Sequence, residues 1–116
     1  MRPLRINPFN FECAVLNAEL PVLLIFGAGW DIPSIKLSEQ LERMGKKYDG
    51  KLIPAFAEID YCIEIFCEYG IQEVPTTVFF ENGKLFNKQI VGYHGSNTLE
   101  KLVYQFFGVL PTINEF

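Results

Sequence analysis

The chain has 116 residues, 49% hydrophobic and 15% aromatic, enough to bury the core of one domain and too apolar for a disordered chain. Lys and Arg number 10 against 14 Asp and Glu, a formal net charge of −4; with no basic stripe, a nucleic-acid partner is not expected. The longest apolar segment, Leu20 to Ala28, is about half of what a bilayer requires, and Arg2 and Arg5 precede no long apolar stretch, so neither a membrane contact nor an ordinary secretory leader is expected and the cytoplasm is the default location.

In chain order, Leu4–Ile6 is too short to establish a strand by itself. Asn7-Pro8 or Asn10 is placed to cap a first helix reaching about Asn17, with Phe11, Val15 and Leu16 inward. Pro21 then opens a strand over Val22–Phe26, whose lack of polar alternation predicts a strand covered on both faces. A helix follows from about Pro33 to Tyr48, because Leu37, Leu41, Met44 and Tyr48 form one stripe at helical spacing. Asp49-Gly50 stops it. Lys51 to Ile59 is the next strand, with one side weakly paired near Pro54, which has no N–H to give. Tyr61 to Tyr69 is a short helix ended by Gly70. Thr77–Glu81 and about Phe86–Val91 make a hairpin around Asn82-Gly83. Ser96 or Asn97 caps a last helix whose inner face is Leu99, Leu102, Val103 and Phe106. The organisation is an N-terminal segment (1–8), one domain (9–107) and an apolar tail (108–116) that packs on its own domain or meets a partner, a second copy included.

Cys13, Cys62 and Cys67 are an odd set, read as free thiols in a reducing compartment. With His94 the one histidine and no Cys-x-x-Cys pair, no metal site and no cofactor is implied. Cys62 and Cys67 lie five apart on one helix. That spacing turns the helix by about 500° and leaves their Cα atoms about 8 Å apart, beyond disulfide reach. Both are read as small packing residues, with reactive thiols as the alternative.

Pro21-Val22-Leu23-Leu24 with Phe26, Ala28 and Trp30, then Gly50-Lys51-Leu52, Ile59-Asp60, Tyr69-Gly70-Ile71, Val74-Pro75-Thr76, Asn82-Gly83 and Val91-Gly92 stand in an order and spacing that resembles the thioredoxin family over about residues 9–107. The resemblance implies an α/β thioredoxin fold, a mixed four- or five-stranded sheet flanked by helices on both faces, with a cis Val74-Pro75 bond. It also implies that positions 31 and 34 hold the redox cysteines of bacterial thioredoxins, and that positions 25 and 56 hold their buried Asp and their Lys. Here those four are Asp31, Ser34, Ile25 and Phe56. Gly27 and Gly29 stand where larger residues are common, and Glu39 replaces a kinking proline, so a straighter helix is expected.

A thiolate is what attacks a disulfide, and neither Asp31 nor Ser34 supplies one. The expectation drawn from this is a redox-inactive module that binds a protein or extended peptide through Trp30, Asp31, Ile32, Pro33, Ser34, Val74, Pro75 and Gly92. The alternative is an atypical thiol oxidoreductase using Cys62 or Cys67. Asp31 is expected to cap the following helix rather than to act as a base, and His94 to lie in solvent rather than to activate Ser34.

Overall fold

The computed structural model describes residues 1–86 and 88–112. Five positions run across one mixed sheet, in the order β1 (Leu4–Ile6), β3 (Ile53–Glu58), β2 (Val22–Gly27), β4 (Thr76–Glu81), and then an outer position shared by β5 (Lys84–Leu85) and β6 (Ile90–Val91). β1 and β2 run parallel to β3, whereas β4 is antiparallel to β2. This is the expected thioredoxin fold, in its five-position form.

β2 is paired on both edges, and all six of its residues are buried. Its side chains alternate between two cores, which is why the sequence shows no polar alternation. Leu24 and Phe26 join Val15, Phe66 and Phe80 on one face, beneath a helical turn at Glu12–Leu16 and α2 (Ile59–Glu68). Leu23 and Ile25 join Leu37, Leu41, Phe79 and Leu99 on the other, beneath α1 (Ile32–Lys47) and α3 (Ser96–Phe107). The stripe Leu37, Leu41, Met44 and Tyr48 is completely buried, and α1 runs unbroken through Glu39.

Several elements differ from the sequence expectation. Leu4–Ile6 is a strand because Ala55–Ala57 of β3 supplies its ladder; a three-residue strand exists only by such pairing. The first helix shrinks to a π-helical turn. The Asn7 side chain accepts from the N–H groups of Phe9 and Asn10, holding a turn up to Asn10, and the Asn17 N–H then reaches back five residues to the Glu12 carbonyl at 2.8 Å. The outer hairpin strand is split, because the Lys88 N–H turns back to the Phe86 carbonyl at 2.7 Å instead of joining the ladder. The N-cap of α3 is Gly95, so neither Ser96 nor Asn97 caps the helix, and no side chain does. Pro54 faces β2 alone, since the pairing with β1 begins at Ala55. In the tail, Thr112 donates its N–H to the Lys47 carbonyl and its hydroxyl to the Asp49 carbonyl; residues 113–116 of the expected tail lie outside the described residues. No helix among the described residues is long and apolar enough to cross a membrane.

The contact between α1 and α3 carries a strongly displaced titration. Burial first, and the neighbouring Glu100 carboxylate second, push the Tyr48 hydroxyl up to about 12, while Lys47 pairs with Glu100 at 3.0 Å. A folded-state value above the ordinary value near 10 means that the stabilisation is complete below about pH 10 and is lost as the pH rises towards 12. The total loss is at most about 2–3 kcal/mol. Urea titrations at stepped alkaline pH are expected to show this decline, and Tyr48→Phe to make it shallower.

Candidate functional site

β2 ends at Gly27, and the chain leaves the sheet through Ala28, Gly29 and Trp30 before α1 begins. Asp31 is extended (φ −100°, ψ 120°), so its carboxylate can turn back over the start of the helix. One oxygen, Oδ2, accepts from the Ser34 N–H at 3.1 Å and from the Ser34 hydroxyl at 2.7 Å. Asp31 is therefore a helix cap, as expected, placed at the positive end of the helix dipole. Ser34 is fully buried beneath it. The Ser34 hydroxyl is thereby spent on Asp31 Oδ2 and buried, so it is not a free nucleophile.

Around this turn Trp30 is 67% and Ile32 66% exposed, and Ile35, Val91 and Tyr93 are exposed as well. The Val74–Pro75 bond is cis, and the Gly92 N–H donates to the Pro75 carbonyl at 2.8 Å. Gly92 has φ 93°, a conformation that needs glycine. The β4–β6 pairing, Thr76 with Val91, holds the Gly92 loop beside the proline. His94 takes no part: its Nε2 meets the Val91 carbonyl at 3.2 Å, while the Ser34 hydroxyl is engaged by Asp31.

Beneath the turn, Ile25 is fully buried and Phe56 is 6% exposed, both in the core under α1. A methyl at position 27 would lie 2.7 Å from the Phe56 ring and 3.1 Å from the Ser34 Cβ. Glycine at 27 and phenylalanine at 56 are thus a matched pair across β2 and β3. On its other side the Phe56 ring lies 5.5 Å from the Arg5 guanidinium, which suits a cation over an aromatic face. A concavity of about 470 Å³ opens there, between Arg5, Asn7, Phe56, Glu58 and Tyr61.

The structure separates the two candidate thiols. Cys62 is fully buried. Its thiol donates to the Ile6 carbonyl of β1 at 3.2 Å, and burial pushes its pKa up, so it is a poor nucleophile. The backbone departs from helical geometry at Cys62 (φ −131°, ψ 27°), early in α2. Cys67, in the last turn of α2, is exposed and free, as is Cys13. Sequence reasoning placed Cys62 and Cys67 on different faces but could not say which face was wet.

A mixed sheet flanked by helices, with a Trp-bearing turn ahead of α1 and a cis-proline loop facing it, defines a thioredoxin-fold protein. The thioredoxin family pattern matches residues 3–105, and the chain belongs to that family. It is 31% identical over 99 residues to the thioredoxin of Chlorobaculum thiosulfatiphilum, covering 85% of this chain and 91% of the relative. It is 37% identical over 90 residues to the thioredoxin of Rickettsia bellii, covering 78% and 85%. It is 33% identical over 99 residues to the mitochondrial thioredoxin of Mus musculus, covering 85% and 59%. These comparisons overturn the expected redox-inactive protein- or peptide-binding module. The relatives carry the name of a thiol-redox protein, and the chain keeps free thiols, one of them exposed on α2. They favour the alternative, a thiol oxidoreductase.

Two outcomes follow for the turn. Asp31→Ala is expected to cost about 1 kcal/mol in urea unfolding, and Asp31→Asn much less, since an amide oxygen still accepts from Ser34. Gly27→Ala is expected to cost about 1–3 kcal/mol by overpacking against Phe56, and Phe56→Leu in the same chain to recover part of that loss.

Proposed function

We propose that this protein is an atypical thiol oxidoreductase of the thioredoxin family, serving thiol redox homeostasis through Cys67, the exposed thiol of α2. In this reading Asp31 and Ser34 occupy the positions of the family's two redox cysteines. Neither carries a sulfur, and the Ser34 hydroxyl is engaged by Asp31 Oδ2 at 2.7 Å, so the exchange chemistry runs through a cysteine elsewhere in the chain. The observation that carries the choice between the two α2 thiols is the exposure of Cys67 against the burial of Cys62.

The step is thiol–disulfide exchange. The Cys67 thiolate attacks one sulfur of a protein or peptide disulfide, forming a mixed disulfide and expelling the other sulfur as a thiolate, which takes a proton. Cys62 cannot resolve that intermediate from five residues away on the same helix. A low-molecular-weight thiolate therefore attacks the substrate sulfur of the mixed disulfide and expels Cys67 as a thiolate, which takes a proton; a second such thiol then attacks the resulting small-thiol–substrate disulfide at the small-thiol sulfur, releases the substrate thiol and leaves the two small thiols oxidised to their disulfide. A reducing compartment such as the cytoplasm suits three cysteines that carry no disulfide.

Turnover of hydroxyethyl disulfide with glutathione, coupled to glutathione reductase, tests the assignment. Cys67→Ser is expected to lower the rate at least tenfold, whereas Cys62→Ser and Cys13→Ser leave it within about twofold, the usual scale for a thiol that is not the nucleophile. Full activity in Cys67→Ser would defeat the proposal.

A further inference from the structure

The turn that carries Trp30 is anchored from outside its own strand. β3 ends at Glu58, which lies opposite Gly27 in the parallel ladder. The Glu58 side chain passes beyond the end of the ladder, and its Oε1 accepts the Gly29 N–H at 2.8 Å. That N–H lies past the last rung of β2, where neither β3 nor β4 offers it a carbonyl in register. A Cβ at position 29 would collide with the same carboxylate oxygen. Position 29 is one of the two places at which this chain has glycine where larger residues are common in the family it resembles. The absent side chain leaves the gap through which the carboxylate reaches the backbone.

We propose that Glu58 is the positioning residue of the Trp30 turn, its carboxylate fixing the Gly29 N–H through the space that the glycine leaves. A carboxylate–amide hydrogen bond is charge-assisted and stronger than a neutral one. It joins the end of β3 to the two residues that precede the Asp31 cap, and so sets the direction in which Trp30 leaves the sheet. Inside the turn the Asp31 N–H donates to the Ala28 carbonyl at 3.2 Å, which closes it locally without joining it to another strand; Asp31 also holds Ser34 inside the helix, and Gly92 holds Pro75 across the site. Glu58 is the group that ties the turn to a neighbouring strand. None of the three cysteines is needed for this role, so it stands or falls independently of the assignment of Cys67.

Trp30 is the single tryptophan of the chain, so its emission reports the turn without interference. The experiment combines the hydrogen-exchange protection factor of the amide at position 29 with the fluorescence anisotropy decay of Trp30. Glu58→Ala is expected to lower the protection about tenfold, the scale of a charge-assisted hydrogen bond, and to enlarge the fast component of the decay. Glu58→Gln keeps an acceptor oxygen but loses the charge, and is expected to fall between wild type and Glu58→Ala in both. Gly29→Ala is expected to reproduce Glu58→Ala by evicting the carboxylate, and the double variant to add nothing further, as for two changes that remove one interaction. Unchanged protection and anisotropy in Glu58→Ala would overturn the proposal. So would Glu58→Gln as disturbed as Glu58→Ala, or additive effects in the double variant. Glu58 is half-exposed at a strand end, and the urea midpoint checks that each variant is folded; Gly29→Ala and Glu58→Gln keep the test decisive should Glu58→Ala not fold.

Discussion

β2 cannot shift by one residue without exchanging its two cores. Leu24 and Phe26 belong to the face under α2, Leu23 and Ile25 to the face under α1, and strands on both edges fix the register. A one-residue slip would turn each set towards the other's partners. Because β2 is held so firmly, the point at which it ends is fixed as well. The Trp30 turn, the Asp31 cap and the first turn of α1 inherit their positions from that end. On the other side of β2, the antiparallel pairing with β4 brings Val74, Pro75 and, through β6, Gly92 to the same edge of the sheet.

The residues around this corner fit as pairs rather than singly. Gly27 leaves space that the Phe56 ring fills, and Gly29 leaves space that the Glu58 carboxylate enters. Phe56 and Glu58 are alternate residues of β3, and Gly27 and Gly29 follow the same two-residue spacing along β2 and its continuation. A buried carboxylate and ammonium would have had to satisfy each other or stay wet. An isoleucine and a phenylalanine at 25 and 56 need neither, and they complete the core under α1. The result is a corner stabilised by packing and by hydrogen bonds.

The thiols follow a different logic. Burial in an apolar setting disfavours the thiolate, and Cys62 is both buried and donating to a backbone carbonyl of β1. It serves to fasten α2 to the edge strand. Cys67, one and a half turns further along, emerges at the surface because α2 lays only one side on the sheet. Two cysteines on one ten-residue helix thus have opposite chemical prospects, and the difference comes from what lies against each of them.

The elements whose cause is local can be read directly from the order of the residues. The unbroken apolar run of β2, the four-residue stripe of α1, the Asp31 cap and the Asn82-Gly83 turn, with φ 55° and 77° at its two residues, all rest on neighbours within a few positions. The ordered motifs also carried the family and the cis-proline loop. The remaining features depend on residues far apart in the chain. Leu4–Ile6 becomes a strand only because β3 lies beside it, and the outer strand breaks where Lys88 turns back to Phe86. The dry side of α2 is set by a carbonyl 56 residues away, and the anchor of the Trp30 turn comes from a carboxylate 29 residues away. Periodicity reports which side of an element is apolar; it holds no record of which distant group will meet a particular N–H or thiol.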